Sequence, residues 1–176
     1  MGGWIATNFA LVHPENIRAL ILADSALVGF QWSPEWNERW TAIQAACVNV
    51  GVEAARQLWL GHPLFAPALE QVEIAARLAQ IVSDYSGWHW GHSDSQRAIE
   101  PPDIQRLDQI STPTLIMIGE RDLPDFQGMA IILQQQIPNA NTVMLSRVGH
   151  MTNMESPERF NEVVRHFLST LHAPES

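Results

Sequence analysis

Three short segments of the chain have the pattern of strands, and helical patterns lie before, between and after them. The strand-like segments cover residues 18–24, 113–119 and 141–145. The first two are nearly continuous apolar runs, which are typical of strands buried on both faces of a parallel sheet. Apolar side chains recur at helical spacing over residues 2–13, 126–137 and 157–171. Strands that alternate with helices in this way predict an α/β fold with a parallel sheet.

The interval over residues 25–112 carries no clear strand pattern and predicts helices instead. Ser33 followed by Pro34 is typical of a helix start, because serine caps the first turn and proline suits its first position. The apolar positions that follow at helical spacing are Trp36, Trp40, Ile43 and Cys47. In this setting the Cys47 thiol is expected to be a buried structural group.

The rest of this interval predicts two more helices and a loop. The helices are expected over residues 53–60 and 67–83, and the second is expected to direct Leu69, Val72, Ala76 and Ala79 inward. Residues 84–102 are rich in Ser, Gly, Trp, His and Pro, which predicts a loop. This loop contains His89 and His92 at a metal-like spacing, but no cysteine or carboxylate cluster accompanies them, so no metal site is expected.

The charge of the chain excludes several classes of partner. Ten basic residues, all arginine, stand against 19 acidic residues, which gives a net charge of −9. Such a surface repels phosphate groups, so neither a nucleic acid nor a membrane is expected as a partner. The chain shows no membrane-spanning apolar stretch and no signal-peptide pattern, and its single cysteine excludes an internal disulfide framework. A cytoplasmic protein without a cofactor is the expectation.

Chemistry is expected just beyond the carboxyl ends of the strands, where α/β sheets carry their functional groups. Asp24 and Ser25 follow the first strand, Asp122 follows the second, and His150 follows the third. A carboxylate and an imidazole on neighbouring strand ends can hydrogen-bond, and the carboxylate then orients the histidine as a general base. Taken alone, the same residues also fit an ordinary turn aspartate and an ordinary histidine.

Their sequence context resembles the carboxyl-terminal half of the α/β-hydrolase family. The matching motifs are Gly-Glu-Arg-Asp at 119–122, Val-Gly-His-Met at 148–151 and Glu-Ser-Pro at 155–157. The resemblance implies that Asp122 is the catalytic acid and His150 the catalytic base, in the family's chain order of nucleophile, acid and histidine. Glu155 is expected to fix the histidine loop rather than to catalyse.

The opening Met1-Gly2-Gly3 resembles the continuation of the family's nucleophile elbow, Gly-x-Ser-Met-Gly-Gly. This alignment implies that the Met1 N–H belongs to the oxyanion hole of the parent enzyme and that the nucleophile itself is missing from the chain. Haloalkane dehalogenases fit less well, since they carry tryptophan where this chain has Met1. Gly2 and Gly3 are expected to allow tight packing at the elbow.

The resemblance implies a truncated α/β-hydrolase fold with a short three-stranded parallel sheet, flanking helices and an inserted helical cap. Residues 1–24 and 113–176 would form the partial core, and 25–112 the cap and its connecting loop. The implied function is the carboxyl-terminal portion of a serine-type hydrolase whose parent acts on small apolar esters or related acyl compounds. Without a nucleophile we expect no activity, and the alternative is a non-catalytic folded fragment or oligomeric remnant.

Four further residues are candidates for the substrate pocket: Ser25, Trp36, Trp40 and Met151. Ser25 lacks a Gly-x-Ser-x-Gly elbow, so a lining or turn role is expected rather than nucleophilic attack. The two tryptophans fit either a cap core or a pocket wall. Asp125 is expected to cap the helix that starts at residue 126.

The strand at Arg18–Asp24 predicts an assembly. In the family it is interior, whereas here it would form an edge that carries no proline, no lysine and no inward charge, the devices that normally protect an edge. We expect a homodimer or higher oligomer formed through this edge strand, with Leu20, Ile21 and Leu22 at or beside the interface.

Overall fold

A computed structural model describes residues 1–92 and 100–171 of the chain. Its helices and strands, in chain order, are α1 (Gly2–Val12), β1 (Leu20–Ala23), α2 (Pro34–Asn49), α3 (Val52–Leu60), α4 (Ala66–Leu69), α5 (Val72–Asp84), α6 (Trp88–Gly91), β2 (Thr114–Gly119), α7 (Pro124–Gln136), β3 (Ala140–Leu145), α8 (Thr152–Glu155) and α9 (Pro157–Thr170). None of the described helices is long and apolar enough to cross a membrane.

The described residues separate into two compact units. The first contains residues 1–30 and 100–171, and the second contains residues 31–92. Segments 25–30 and 100–112, which the sequence interpretation assigned to the insertion, therefore belong to the first unit. The Ile104 N–H donates to the Val28 carbonyl at 3.1 Å, and the Asn8 amide donates to the Asp103 carboxylate at 2.9 Å. These two bonds connect the segments to each other and to α1.

The first unit is built on a three-stranded parallel sheet with strand order β1-β2-β3. In its register, Leu20 lies beside Thr114, which lies beside Ala140. All six residues of the central strand β2 are buried. The predicted α/β class and short parallel sheet are confirmed. Strand β1 is three residues shorter than predicted, and β2 and β3 each differ from the predicted limits by one residue.

One face of this sheet packs against the last helix. Leu115, Met117 and Leu145 from the strands form a buried cluster with Val163 and Phe167 of α9. Phe160, Val164 and Leu171 pack around the same cluster, as the periodicity of this helix predicts, whereas Leu168 remains 38% exposed. The intervening β2 residues Ile116 and Ile118 are equally buried, so the opposite face of the strand is covered too.

Helix α1 forms as predicted, but most of its large apolar side chains point outward. Its buried residues are Thr7, Ala10 and Leu11, whereas Ile5 is 56%, Phe9 44% and Val12 49% exposed. The exposed three lie four and three residues apart and therefore share one side of the helix. We call Ile5, Phe9 and Val12 the α1 stripe.

The second unit is helical, as the sequence predicts. The Ser33 hydroxyl accepts a hydrogen bond from the Trp36 N–H at 3.2 Å, so the predicted cap of α2 is confirmed. The buried core contains Ile43, Ala55 and Trp90, and the Trp40 and Trp59 rings pack around them.

Two expectations for this unit were wrong. The helix predicted over 67–83 is interrupted after Leu69 and resumes at Val72, so the face extrapolated through the break does not exist. Leu78 and Val82 are the buried residues of α5, whereas Val72 is 84% exposed and Ala76 and Ala79 are also exposed. The segment predicted as a loop contains the short helix α6, and residues 93–99 of that segment lie outside the described residues.

Candidate active site

The turns that follow the three parallel strands bring their polar side chains to one edge of the sheet. Asp24 directly follows β1, Asp122 lies three residues after β2, and His150 lies five residues after β3. Parallel strands end at a common edge, so residues far apart along the chain meet there.

Asp122 and His150 are in direct contact. The Oδ2 atom of Asp122 lies 2.9 Å from the Nδ1 atom of His150, and the other carboxylate oxygen accepts the Leu123 N–H at 2.7 Å. The Asp122 side chain is fully buried, whereas the imidazole is 17% exposed. An ionised carboxylate can only accept, so this contact favours the tautomer with the proton on Nδ1, in which Nε2 keeps its lone pair.

The imidazole is also held by an aromatic neighbour. The Phe126 ring, in the first turn of α7, lies with its centroid 4.3 Å from that of His150, at an interplanar angle of 55°. A close tilted ring restricts rotation of the imidazole about its side-chain bonds. The ring is therefore confined by the carboxylate at one nitrogen and by Phe126 at its face.

Glu155 holds the backbone on both sides of His150. One carboxylate oxygen accepts the Gly149 N–H at 2.7 Å, and the other accepts the Met151 N–H at 3.0 Å. Glu155 is itself buried in α8, one turn beyond the histidine. The expectation that it fixes this loop is confirmed.

Asp24 contacts both of the other turns, a role that the sequence analysis did not assign. Its Oδ1 atom accepts the Gly119 N–H at 3.3 Å, and its Oδ2 atom accepts the Thr152 hydroxyl at 2.5 Å and the Thr152 N–H at 3.3 Å. Burial raises the pKa of Asp24 to about 7, although the Thr152 bonds and the nearby His150 oppose that rise. An aspartate that ends a buried strand was the available signal, but its partners lie too far along the chain to be predicted.

Ser25 and Gly3 are in close contact. A β-carbon at Gly3 would lie 2.0 Å from the Ser25 Oγ, so glycine is required here, as predicted for the tight packing of α1. Gly2 has open space around it and is not required. Ser25 is buried and donates to the Ala26 carbonyl at 2.8 Å, which gives its hydroxyl a structural partner.

Two more candidates occupy helix starts. Met1 lies at the N-cap position of α1, where its carbonyl accepts the Ile5 N–H at 3.3 Å. Met151 occupies the N-cap position of α8, directly after His150. Their assignments to an oxyanion hole and a substrate pocket stay predictions.

The candidates of the second unit form an aromatic cluster. Trp36 stacks on Trp32 at a centroid distance of 4.3 Å, and its edge meets the buried His62 at 5.2 Å. Trp40 meets Trp59 edge to face at 6.1 Å. These contacts are those of a small aromatic core, and a pocket-lining role for Trp36 and Trp40 stays a prediction.

The remaining candidates have other local roles. The Nδ1 atom of His89 lies 2.7 Å from the Tyr85 hydroxyl oxygen, and the His92 ring stacks on the Trp88 ring. Within residues 1–92 and 100–171 no group of three potential ligands is placed to hold a metal ion. Asp125 does not cap α7: the N-cap position is Leu123, and Asp125 lies inside the first turn. The helix begins at Pro124, two residues earlier than the predicted start, which moves the cap position.

Solved structures share the fold of this chain. The structure of MenH from S. aureus superposes with a TM-score of 0.77, is 27% identical, and is matched over 97% of this chain and 66% of its own. The enol-lactonase from Burkholderia xenovorans LB400 gives a TM-score of 0.73 at 25% identity, over 96% of this chain and 63% of its own. In fold and in sequence, the chain is therefore similar to members of the α/β-hydrolase family.

A curated relative agrees with this assignment. The 2-hydroxymuconate semialdehyde hydrolase of Pseudomonas putida is 26% identical over 98% of this chain and 61% of its own length. No family model matches the chain. The chain thus spans less than two thirds of the length of these relatives.

Proposed function

We propose that this α/β-hydrolase chain provides the general base and the orienting acid of a serine-type hydrolase that acts on small apolar esters or related acyl compounds. The observation that carries the proposal is the 2.9 Å contact between Asp122 Oδ2 and His150 Nδ1. It supports a ring whose Nε2 is ready to take a proton from a serine hydroxyl, and a carboxylate that stabilises the resulting imidazolium.

The sequence of events follows from these roles. His150 would accept the hydroxyl proton as the serine attacks the acyl carbon, and would then return it to the leaving alcohol, which leaves the acyl group on the serine. His150 would next take a proton from a water molecule that attacks this acyl group, and would return the proton to the serine as the acid is released. Asp122 would remain ionised throughout. The Met1 N–H, at the start of α1, would donate to the oxyanion, since the first N–H groups of a helix have no partners within it.

The serine itself is not supplied by the 176 residues. None of the serines in the sequence lies in a Gly-x-Ser-x-Gly elbow, and the buried Ser25 already bonds to the Ala26 carbonyl. We therefore propose that the chain by itself does not catalyse, and that activity needs a nucleophile at the position preceding Met1. We place the protein in the cytoplasm, without a nucleic acid or membrane partner and without a cofactor.

One experiment tests the role of the pair. The DNA upstream of the Met1 codon is read, and the longest frame that extends it is expressed and assayed with nitrophenyl esters. An in-frame Gly-x-Ser run and an activity that falls by about 10⁴-fold or more in His150→Ala are expected. An active longer protein that tolerates His150→Ala would overturn the proposal.

A second candidate function is a non-catalytic folded protein that exists as a homodimer. Within the described residues β1 pairs with β2 alone, and pairing alternates along a strand. Because Leu20 and Asp24 direct their N–H groups to β2, Ile21 and Ala23 direct theirs to the open side. An in-frame stop codon directly upstream of Met1, together with a dimer in solution, would favour this candidate.

A further inference from the structure

The Asp24 carboxylate connects the two turns that hold the candidate acid and base. One oxygen accepts from Gly119, three residues before Asp122, and the other accepts from Thr152, two residues after His150. These three hydrogen bonds join the residue after β1 to the last residue of β2 and to the first residue of α8. A single side chain thus fixes both turns relative to the same strand end.

The backbone at Asp24, whose side chain bonds to Gly119 and Thr152, has an uncommon conformation. Its φ is +46°, in the left-handed region that few residues other than glycine adopt. Such a conformation persists only where the surrounding contacts determine it, and aspartate tolerates it better than most side chains. At Asp24 the three side-chain hydrogen bonds supply those contacts.

The Thr152 hydroxyl makes the contact possible in both protonation states of Asp24. Thr152 is fully buried, and its Oγ1 lies 2.5 Å from the Asp24 Oδ2. A hydroxyl both donates and accepts, so it can donate to the carboxylate or accept from the carboxylic acid. The charged groups that act on Asp24 are His150 and Asp122, the two members of the pair it connects.

We propose that Asp24 is a positioning residue that holds the Asp122 turn and the His150 loop at the separation their hydrogen bond requires. Asp24 acts through Gly119 and Thr152 and touches neither reacting group. The inference rests on the proposed function, because it assigns Asp24 a part in building the same acid–base pair.

The test follows the imidazole of His150 by NMR in the 176-residue chain, with His150→Ala used to assign its signals. In the unaltered chain, the ¹⁵N shifts are expected to show a proton on Nδ1, and that proton is expected far downfield. In Asp24→Asn and in Thr152→Val, the downfield signal is expected to be lost or to exchange rapidly with water. Thr152→Ser, which restores the hydroxyl, is expected to regain it.

A matched control removes a different carboxylate from the same region. Glu120 accepts the Arg147 N–H at 2.7 Å but does not contact Asp24 or Thr152 in the hydrogen bonds described. Glu120→Gln is expected to keep the downfield signal. Circular dichroism verifies that each variant is folded, and Thr152→Val decides the question if Asp24→Asn does not fold.

The outcomes separate the two proposals. A downfield signal that persists in folded Asp24→Asn and Thr152→Val would overturn the role of Asp24 alone. A signal absent from the unaltered chain would overturn the Asp122–His150 pair and, with it, the proposed function. Loss in Glu120→Gln as well would show a general effect of charge and would overturn the specific role of Asp24.

Discussion

Gly119 and Gly149 touch backbone to backbone, where the turn that leads to Asp122 meets the loop that carries His150. A β-carbon at Gly119 would lie 2.0 Å from the Gly149 carbonyl oxygen and 2.5 Å from that of Val148. Both obstacles are main-chain atoms, which cannot rotate away as a side chain does. The glycine therefore allows the approach that brings the acid and the base together.

Substituting Gly119 should separate these turns. Gly119→Ala is expected to lower the free energy of unfolding by about 3 kcal/mol, because the backbone must shift to admit the methyl group. Urea denaturation followed by circular dichroism measures the change. Gly2→Ala is the matched control, since nothing lies within 4 Å of the position and it begins a helix. Equal stability of both variants would contradict the contact.

Replacing the Glu155 carboxylate, which accepts the Gly149 and Met151 N–H groups, should loosen the loop that carries His150. Glu155→Gln replaces one acceptor with an amide NH₂ that faces an N–H donor, so a loss of about 1–3 kcal/mol in unfolding free energy is expected. Hydrogen exchange at the Gly149 and Met151 amides should accelerate. Glu38, exposed on α2, provides the control substitution Glu38→Gln. Unchanged hydrogen-exchange rates at both amides would show that the Glu155 hydrogen bonds do not hold the loop.

The raised pKa of Asp24 predicts a dependence of stability on pH. A carboxyl whose pKa is about 7 in the folded state and 3.8 in the reference state binds more protons when folded. Its contribution to stability is therefore fully present below about pH 3.8 and is lost as the pH rises through about 7. Between pH 5 and pH 8 the unfolding free energy of the unaltered chain should fall by about 2–3 kcal/mol relative to Asp24→Asn. Denaturation of both proteins at each pH measures this difference.

The sign of that difference is the decisive feature. A carboxylate whose pKa was lowered by folding would be ionised in both the folded and the unfolded state over this range, and the unaltered chain and Asp24→Asn would then show the same pH dependence. His150 and Asp122 face Asp24 and remain present in both proteins. Their contributions are common to both curves, so the comparison isolates the charge of Asp24.

The chain alone should not hydrolyse nitrophenyl esters. Loss of any member of a catalytic triad, here the nucleophile, typically leaves only about 10³–10⁴-fold over water, and that remainder depends on the oxyanion hole and on substrate binding. The measurement is release of nitrophenolate by the purified 176-residue chain, with His150→Ala beside it. Turnover that disappears in His150→Ala would show that a nucleophile lies within the chain, and Ser25 would then be the first candidate for it.

The open side of β1 should mediate self-association. Sedimentation at micromolar concentration is expected to show a homodimer, and an interface of this kind should bury upward of about 2,000 Å² in total. Ala23→Pro removes an N–H that points to the open side and is expected to shift the protein towards monomer. Phe9→Ser, in the α1 stripe, tests association through the helices instead. A 19.7 kDa monomer of the unaltered chain would contradict the proposal.

The structure narrows which side chains could take part in such an interface. Leu20 and Leu22 are already buried within the chain, at 6% and 0% exposure, whereas Ile21 is partly exposed. Of the three predicted interface residues, only Ile21 retains surface for a partner. Main-chain pairing, rather than the side chains of Leu20 and Leu22, would have to supply most of the contact along β1.

Local pattern was sufficient for most of the strands and helices, and resemblance to a known family pointed to the central pair. Strands and helices repeat every two and every 3.6 residues, so the limits of β2 and the apolar face of α9 could be predicted from a few neighbouring positions. The turn chemistry before α2 was equally local, because Ser33 caps a helix only three residues ahead. The motifs around residues 122 and 150 identified the acid and the base by resemblance.

Only the tertiary structure decided how those residues are held and which faces remain exposed. Asp24 and Thr152 lie 128 positions apart, and no periodicity links them. The break between α4 and α5 and the outward direction of the α1 stripe likewise depend on what packs against each helix. Hydrogen bonds and burial between distant segments arise only when the strands align, so the sequence pointed to the candidate acid and base, whereas the fold determined their geometry.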